Sequence, residues 1–157
     1  MYTVEQVFHW LEEVKDPEIP VLSLVDLGVI THVETKGRKI SIEMTPTFVG
    51  CPALDMMQEE IKATLQKYGA EEVTINISFR EPWSSDKISE KGKQALKQFG
   101  IAPPSPLIDD LVILETAACP RCQGTHTELK NTFGPTLCRS IHYCNDCHEA
   151  FEQFKAL

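Results

Sequence analysis

Apolar residues recur first at helical spacing. Val4, Val7, Phe8, Leu11 and Val14 mark one face of a helix, and Thr3 followed by Gln6 forms a capping-box pattern ahead of it. Asp16-Pro17 ends this helix. From Pro17 to Gly28 prolines and acids mix with apolar residues, which predicts an ordered connection closed by a turn at Asp26-Leu27-Gly28. Two strands follow, Val29 to Thr35 and Arg38 to Thr45, joined at Lys36-Gly37 as a hairpin; in the second, Ile40, Ile42 and Met44 alternate with Ser41 and Glu43. Leu54, Met57, Ile61, Leu65 and Tyr68 then fall on one helical face that Gly69 stops. The clearest strand comes next, with Val73, Ile75, Ile77 and Phe79 alternating against Thr74, Asn76 and Ser78. Beyond the break at Arg80 to Trp83, any of Ser84, Ser85 or Asp86 can cap a last helix carrying Ile88, Ala95, Leu96 and Phe99, which Gly100 ends. The order α-β-β-α-β-α predicts an α+β fold, a small three-stranded sheet packed with helices, with a core sufficient for about 100 residues.

The remainder reads differently. Pro103-Pro104-Ser105-Pro106 is a stiff boundary, and the apolar run Leu107 to Leu114 either docks the linker or forms an edge strand. The expected organisation is an α+β domain over 1–102, a proline-rich linker and docking segment over 103–118, and a cysteine-rich module over 119–157.

Of the six cysteines, five lie between Cys119 and Cys147, a local density that points to a metal site rather than a disulfide framework. No secretory signal pattern opens the chain, and no apolar run approaches the ~18 residues of a membrane span. A reducing, cytoplasmic setting without membrane contact is expected. The formal charge of −8 opposes a general nucleic-acid role. After Cys119 the signs balance, Arg121, Lys130, Arg139 and Lys155 against Glu128, Asp146, Glu149 and Glu152, so the acidic surplus belongs to the first domain.

Cys119-Pro-Arg-Cys122 and Cys144-Asn-Asp-Cys147 are two C-x-x-C pairs 21 residues apart. Four thiolates at this spacing close a tetrahedral shell, which suits a structural Zn²⁺ in a zinc ribbon; a mononuclear iron or an iron-sulfur centre could use the same ligands. Cys138 is left over, a small buried residue or a spare thiol. His126, His142 and His148 are near enough to substitute, but four thiolates leave them as surface groups or supports. Cys51, the first cysteine of the chain, stands between the turn residue Gly50 and Pro52 at a strand-to-helix junction. There the helix dipole and free N–H groups would favour its thiolate, a nucleophile and metal ligand. Equally, it could be a small residue filling the bend.

Asp16-Pro17-Glu18, Asp26-Leu27-Gly28, and Thr45 leading to Gly50-Cys51-Pro52 together resemble the SufT-like iron-sulfur assembly domains. With Cys119 to Cys122, Phe133-Gly134, Thr136, Cys138, Cys144, Cys147 and the ending Glu149-Ala-Phe151 to Phe154-Lys155, the chain resembles the PaaD family, small accessory subunits of phenylacetyl-CoA epoxidase systems. That resemblance covers nearly the whole chain. It implies a cytoplasmic factor that helps mature an iron-sulfur cluster or di-iron site of the system, and it does not imply the epoxidation itself. Its partners would be the reductase or oxygenase components, with a homodimer as one option. Cys51 would be the transient ligand of iron or a cluster, Asp26 and Thr45 its polar neighbours, and Asp16 and Glu18 an acidic lip. Asp16 and Glu18 read equally well as solvated turn residues, and Asp26 as a turn former. The alternative is a non-catalytic adaptor or structural subunit of the oxygenase complex. A catalytic role finds little support, because the chain carries no Glu-x-x-His pair for a di-iron centre and no Gly-x-Gly-x-x-Gly.

Overall fold

The structure, a computed structural model, describes residues 1–104 and 117–155. The run Leu107 to Leu114, expected to dock or to form an edge strand, lies outside them. By compactness the chain divides into one unit of residues 1–83 with 87–89 and a second of 84–86 with 90–157.

In the first unit, α1 (Val4–Leu11) begins at the expected capping box. Gln6 N–H donates to Thr3 Oγ1 at 3.2 Å and Thr3 N–H to Gln6 Oε1 at 3.0 Å. Val7 and Leu11 are its buried face; the helix stops at Leu11, short of the expected end at Asp16-Pro17, so Val14 is buried outside it. The connection that follows holds a short helix the periodicity did not reveal, α2 (Leu24–Leu27), capped by Ser23 and closed by Gly28 in the left-handed region. Four residues are too few to display a helical period. The hairpin forms as read: β1 (Ile30–Lys36) pairs antiparallel with β2 (Lys39–Met44), Lys36 opposite Lys39. After α3 (Leu54–Lys67), β3 (Glu72–Ile77) returns parallel to β2, with Ile42 opposite Ile75. Alternation sends Ile40, Ile42 and Met44 into the core with Ile61 and Leu65 of α3. The sheet order is β1-β2-β3. Phe79, which extended the apparent alternation, falls outside β3 and is 48% exposed.

Trp83 closes the first unit by donating Nε1–H to the Leu27 carbonyl at 2.9 Å. Ser85–Lys87 is a 3₁₀ turn, so the expected capping residues open that turn, and the α-helix proper, α4 (Glu90–Phe99), starts later. The second unit joins α4 to a four-stranded sheet of β4 (Ile101–Ala102), β5 (Thr127–Asn131), β6 (Arg139–Cys144) and β7 (Ala150–Phe154), ordered β4-β7-β6-β5. Here the apolar pair Ile101-Ala102, counted with the first domain in the sequence, runs parallel to Glu152-Gln153. Ile101 and Ala102 are both buried. Among the described residues no helix is long and apolar enough to cross a membrane.

Candidate functional site

Two sites come from different units. In the second, Cys119 and Cys144 are buried with Ala102, Ala117 and Phe151 in a small core, and Cys147 packs against it. The two cysteine pairs are built alike. Gln123 N–H donates to the Cys119 carbonyl and His148 N–H to that of Cys144, both at 2.9 Å, while Cys119 and Cys144 N–H reach Gly124 and Glu149 carbonyls at the same distance. To close these loops Gln123 and His148, each just after the second cysteine, adopt left-handed φ of 66° and 62°. Gln123 was not singled out in the sequence and His148 only as a possible ligand, though the position after each pair was the available signal. Gly124 N–H also points at Cys122 Sγ, 3.3 Å away.

The four sulfurs lie within 4.8 Å of one another, with Cys119–Cys147 at 3.7 Å and Cys122–Cys144 at 3.6 Å. A disulfide needs about 2.05 Å. A tetrahedron of thiolates about 2.3 Å from a metal has an edge of about 3.8 Å, so the donor set fits a metal ion. As thiols, the four do not hold their protons equally. The Cys147 N–H holds Cys144 down at about 7, while burial, with the Cys119 thiol, pushes Cys147 up to about 12. A cation replaces these protons, which is why such sites release protons on loading.

The histidines stand outside the cluster. His126 Nδ1 is 3.6 Å from Asp146 and His148 Nδ1 is 3.4 Å from the Tyr143 hydroxyl. His142 is buried, its ring stacked on Phe151, and burial holds it below its ordinary pKa. Cys138 is buried beside the Thr136 hydroxyl at 3.0 Å, also outside the cluster.

In the first unit Cys51 is half-buried in the turn from β2 to α3, where its carbonyl accepts from Leu54 N–H at 3.2 Å. The helix start was expected to favour the thiolate. Instead the thiol is raised above its ordinary pKa: burial dominates, Ala53 N–H pulls the other way, and the charges of Glu18 and Asp16 add to the rise. Asp16, Glu18 and Cys51 therefore share one electrostatic environment. Asp16 is buried, and its Oδ1 accepts from Glu18 N–H at 2.8 Å and Ile19 N–H at 2.9 Å.

The other two residues named from the resemblance are engaged elsewhere. The hydroxyls of Ser23 and Ser89 donate to the Asp26 carboxylate at 2.8 and 2.7 Å, and Ser89 N–H donates to the Asp26 carbonyl. Ser23 three residues before Asp26 was a legible capping signal; Ser89 was not. Thr45 is buried at the end of β2 and lines a 250 Å³ cleft with Thr31, Glu43, Ser78, Arg80 and Glu81. Cys51 is not among its lining residues.

Residues 4–77 match the family described as iron-sulfur cluster assembly protein, and residues 110–155 match the PaaD zinc beta ribbon domain. Over 98% of this chain and 93% of the relative, the sequence is 32% identical to an Escherichia coli K12 protein, a subunit named for a "Putative 1,2-phenylacetyl-CoA epoxidase". An "Fe-S protein maturation auxiliary factor" of Porphyromonas gingivalis is 33% identical over 58% of this chain and 88% of its own length. A solved domain of unknown function, DUF59, from Bacillus anthracis superposes with a TM-score of 0.55 at 29% identity, covering 59% of this chain and 89% of that one. A conserved hypothetical protein of Thermotoga maritima gives 0.52 at 25% identity, covering 64% and 96%. With both segments matched in order and almost the full length aligned, the chain belongs to the PaaD family of phenylacetyl-CoA epoxidase subunits.

Proposed function

We propose that this chain is an accessory factor that matures a metal centre of a phenylacetyl-CoA epoxidase system, with Cys51 as the transient ligand of iron or an iron-sulfur cluster. The observation that carries this reading is a lone half-buried thiol, under the negative charges of Asp16 and Glu18, inside the segment that matches iron-sulfur cluster assembly proteins. Those charges that disfavour a bare thiolate favour an arriving cation, which displaces the thiol proton as it binds. The thiol is thereby quiet when empty and a ligand when loaded. In this reading the ribbon cysteines hold Zn²⁺ for structure, and the clients are the reductase, with an iron-sulfur cluster, or the oxygenase, with a di-iron site.

The test is Cys51→Ser and Cys51→Ala, assayed for iron delivery to reductase and oxygenase in cells. Iron and acid-labile sulfide are measured in the anaerobically purified chain beside thermal melts. Both variants should keep the fold and lose client iron. Normal client iron with Cys51→Ser would sink the carrier role and leave a non-catalytic adaptor of the oxygenase complex as the better reading.

A further inference from the structure

Next to the Cys51 environment, and sharing Asp16 with it, lies a 400 Å³ groove. Its apolar part is Pro17 and Pro20 of the loop after α1, with Met56 and Met57 of α3. Met57 is buried, while Met56 is 57% exposed. Asp16 and Glu60 also line it, with Lys15, whose Nζ is held by the Glu12 carbonyl at 2.8 Å; Glu13 lines it too but is already paired with Lys67 Nζ at 3.1 Å, which leaves Asp16 and Glu60 as the acidic margin. Glu60 makes no ion pair among the described residues. Asp16 is common to the groove and to the electrostatic surroundings of Cys51.

An apolar floor of prolines and methionines with an acidic margin selects its occupant. Prolines hold shape at no rotamer cost, and the flexible thioethers of methionine adapt to more than one apolar side chain. The carboxylates favour a cation at the rim and disfavour acidic segments. We propose that this groove docks the client protein, through an exposed client segment carrying a lysine or arginine between apolar side chains. The proposal rests on the maturation reading and places the client beside the thiol that would serve it.

Binding of the full-length chain to purified reductase and to purified oxygenase of the epoxidase system tests it, by calorimetry at low and physiological salt. Met56→Glu and Glu60→Lys should each weaken binding to one of the two components by roughly tenfold or more, as for the centre of a small interface. Glu59→Lys, the same charge change one residue away and outside the groove, should cost far less. Cys51→Ser should bind as wild type. Equal losses from Glu59→Lys and Glu60→Lys, wild-type binding by both groove variants, or no binding of either component would overturn the proposal. So would a dimer of this chain that Met56→Glu dissociates, because the occupant would then be a second copy. Normal client iron with Cys51→Ser alongside lost binding by the groove variants would defeat the carrier role while upholding the docking surface.

Discussion

At the residue scale, Cys51 shows what linear sequence conveys and what it conceals. Its place was legible because an alternating strand, Gly50 and Pro52 bracket it, and the turn is where these residues put it. Its protonation was not, because the sequence shows the helix start but not the burial, nor the return of Asp16 and Glu18 from another loop. Burial and two carboxylates outweigh the N–H groups of Ala53 and Leu54. Removing one charge should therefore lower the thiol pKa and increase the thiolate fraction. In zinc-loaded protein, Glu18→Gln should speed iodoacetamide alkylation of Cys51 at pH 7.5, read by peptide mass spectrometry, by less than about threefold because Glu18 is exposed and screened. The gain should shrink with added salt. An unchanged or slower rate would show that Glu18 does not act on the thiol.

At the scale of elements, long periodic segments announced themselves and short ones did not. The helices α1 and α3 and the hairpin follow their apolar periods, and the cap of α1 is the one written at Thr3 and Gln6. The parallel return of β3 was open, since alternation fixes the buried face and not the direction. The helix α2 was concealed by its length, yet it explains Asp26-Leu27-Gly28. Asp26 gathers Ser23 and Ser89, Leu27 receives Trp83, and Gly28 lets the chain at Lys87 pass close by. Gly28 has φ +78°, and a Cβ there would meet the Lys87 carbonyl oxygen at 2.5 Å. Gly28→Ala should cost about 2 kcal/mol or more, from a left-handed alanine plus a backbone clash that no rotamer relieves. Urea denaturation reads this directly. A loss under about 0.5 kcal/mol would mean the 87–89 turn moves away freely.

At the scale of the whole molecule, the unequal cores of the two units decide how the chain comes apart. The first unit has its own apolar interior, with Val7, Leu11, Ile42, Ile61 and Leu65 at 0% exposure. Among the described residues the cluster around the cysteines is Ala102, Ala117, Cys119, Cys144 and Phe151, two of them members of the four-sulfur group, while Leu96, Ile101 and Phe154 are buried in the same unit. With so few apolar side chains around the four sulfurs, the strands that carry them are expected to depend on the metal, whose binding to such sites contributes about 10–16 kcal/mol in free peptides. The sequence made this contrast plain through cysteine spacing. It did not reveal that Ile101-Ala102 enters the second sheet, because a two-residue strand carries no period. That strand extends the forecast for metal loss. Chelation, or Cys119→Ser, should abolish amide-exchange protection over 127–154 and at Ile101 and Ala102 together, while β2, α3 and β3 keep theirs. Zinc should leave in the same step, at one equivalent per chain. Loss of zinc with β5 to β7 still protected would show that the ribbon folds without metal. Loss of protection in β2 and α3 at the same chelator concentration would show that the first unit depends on the ribbon, against the separate core its buried residues describe.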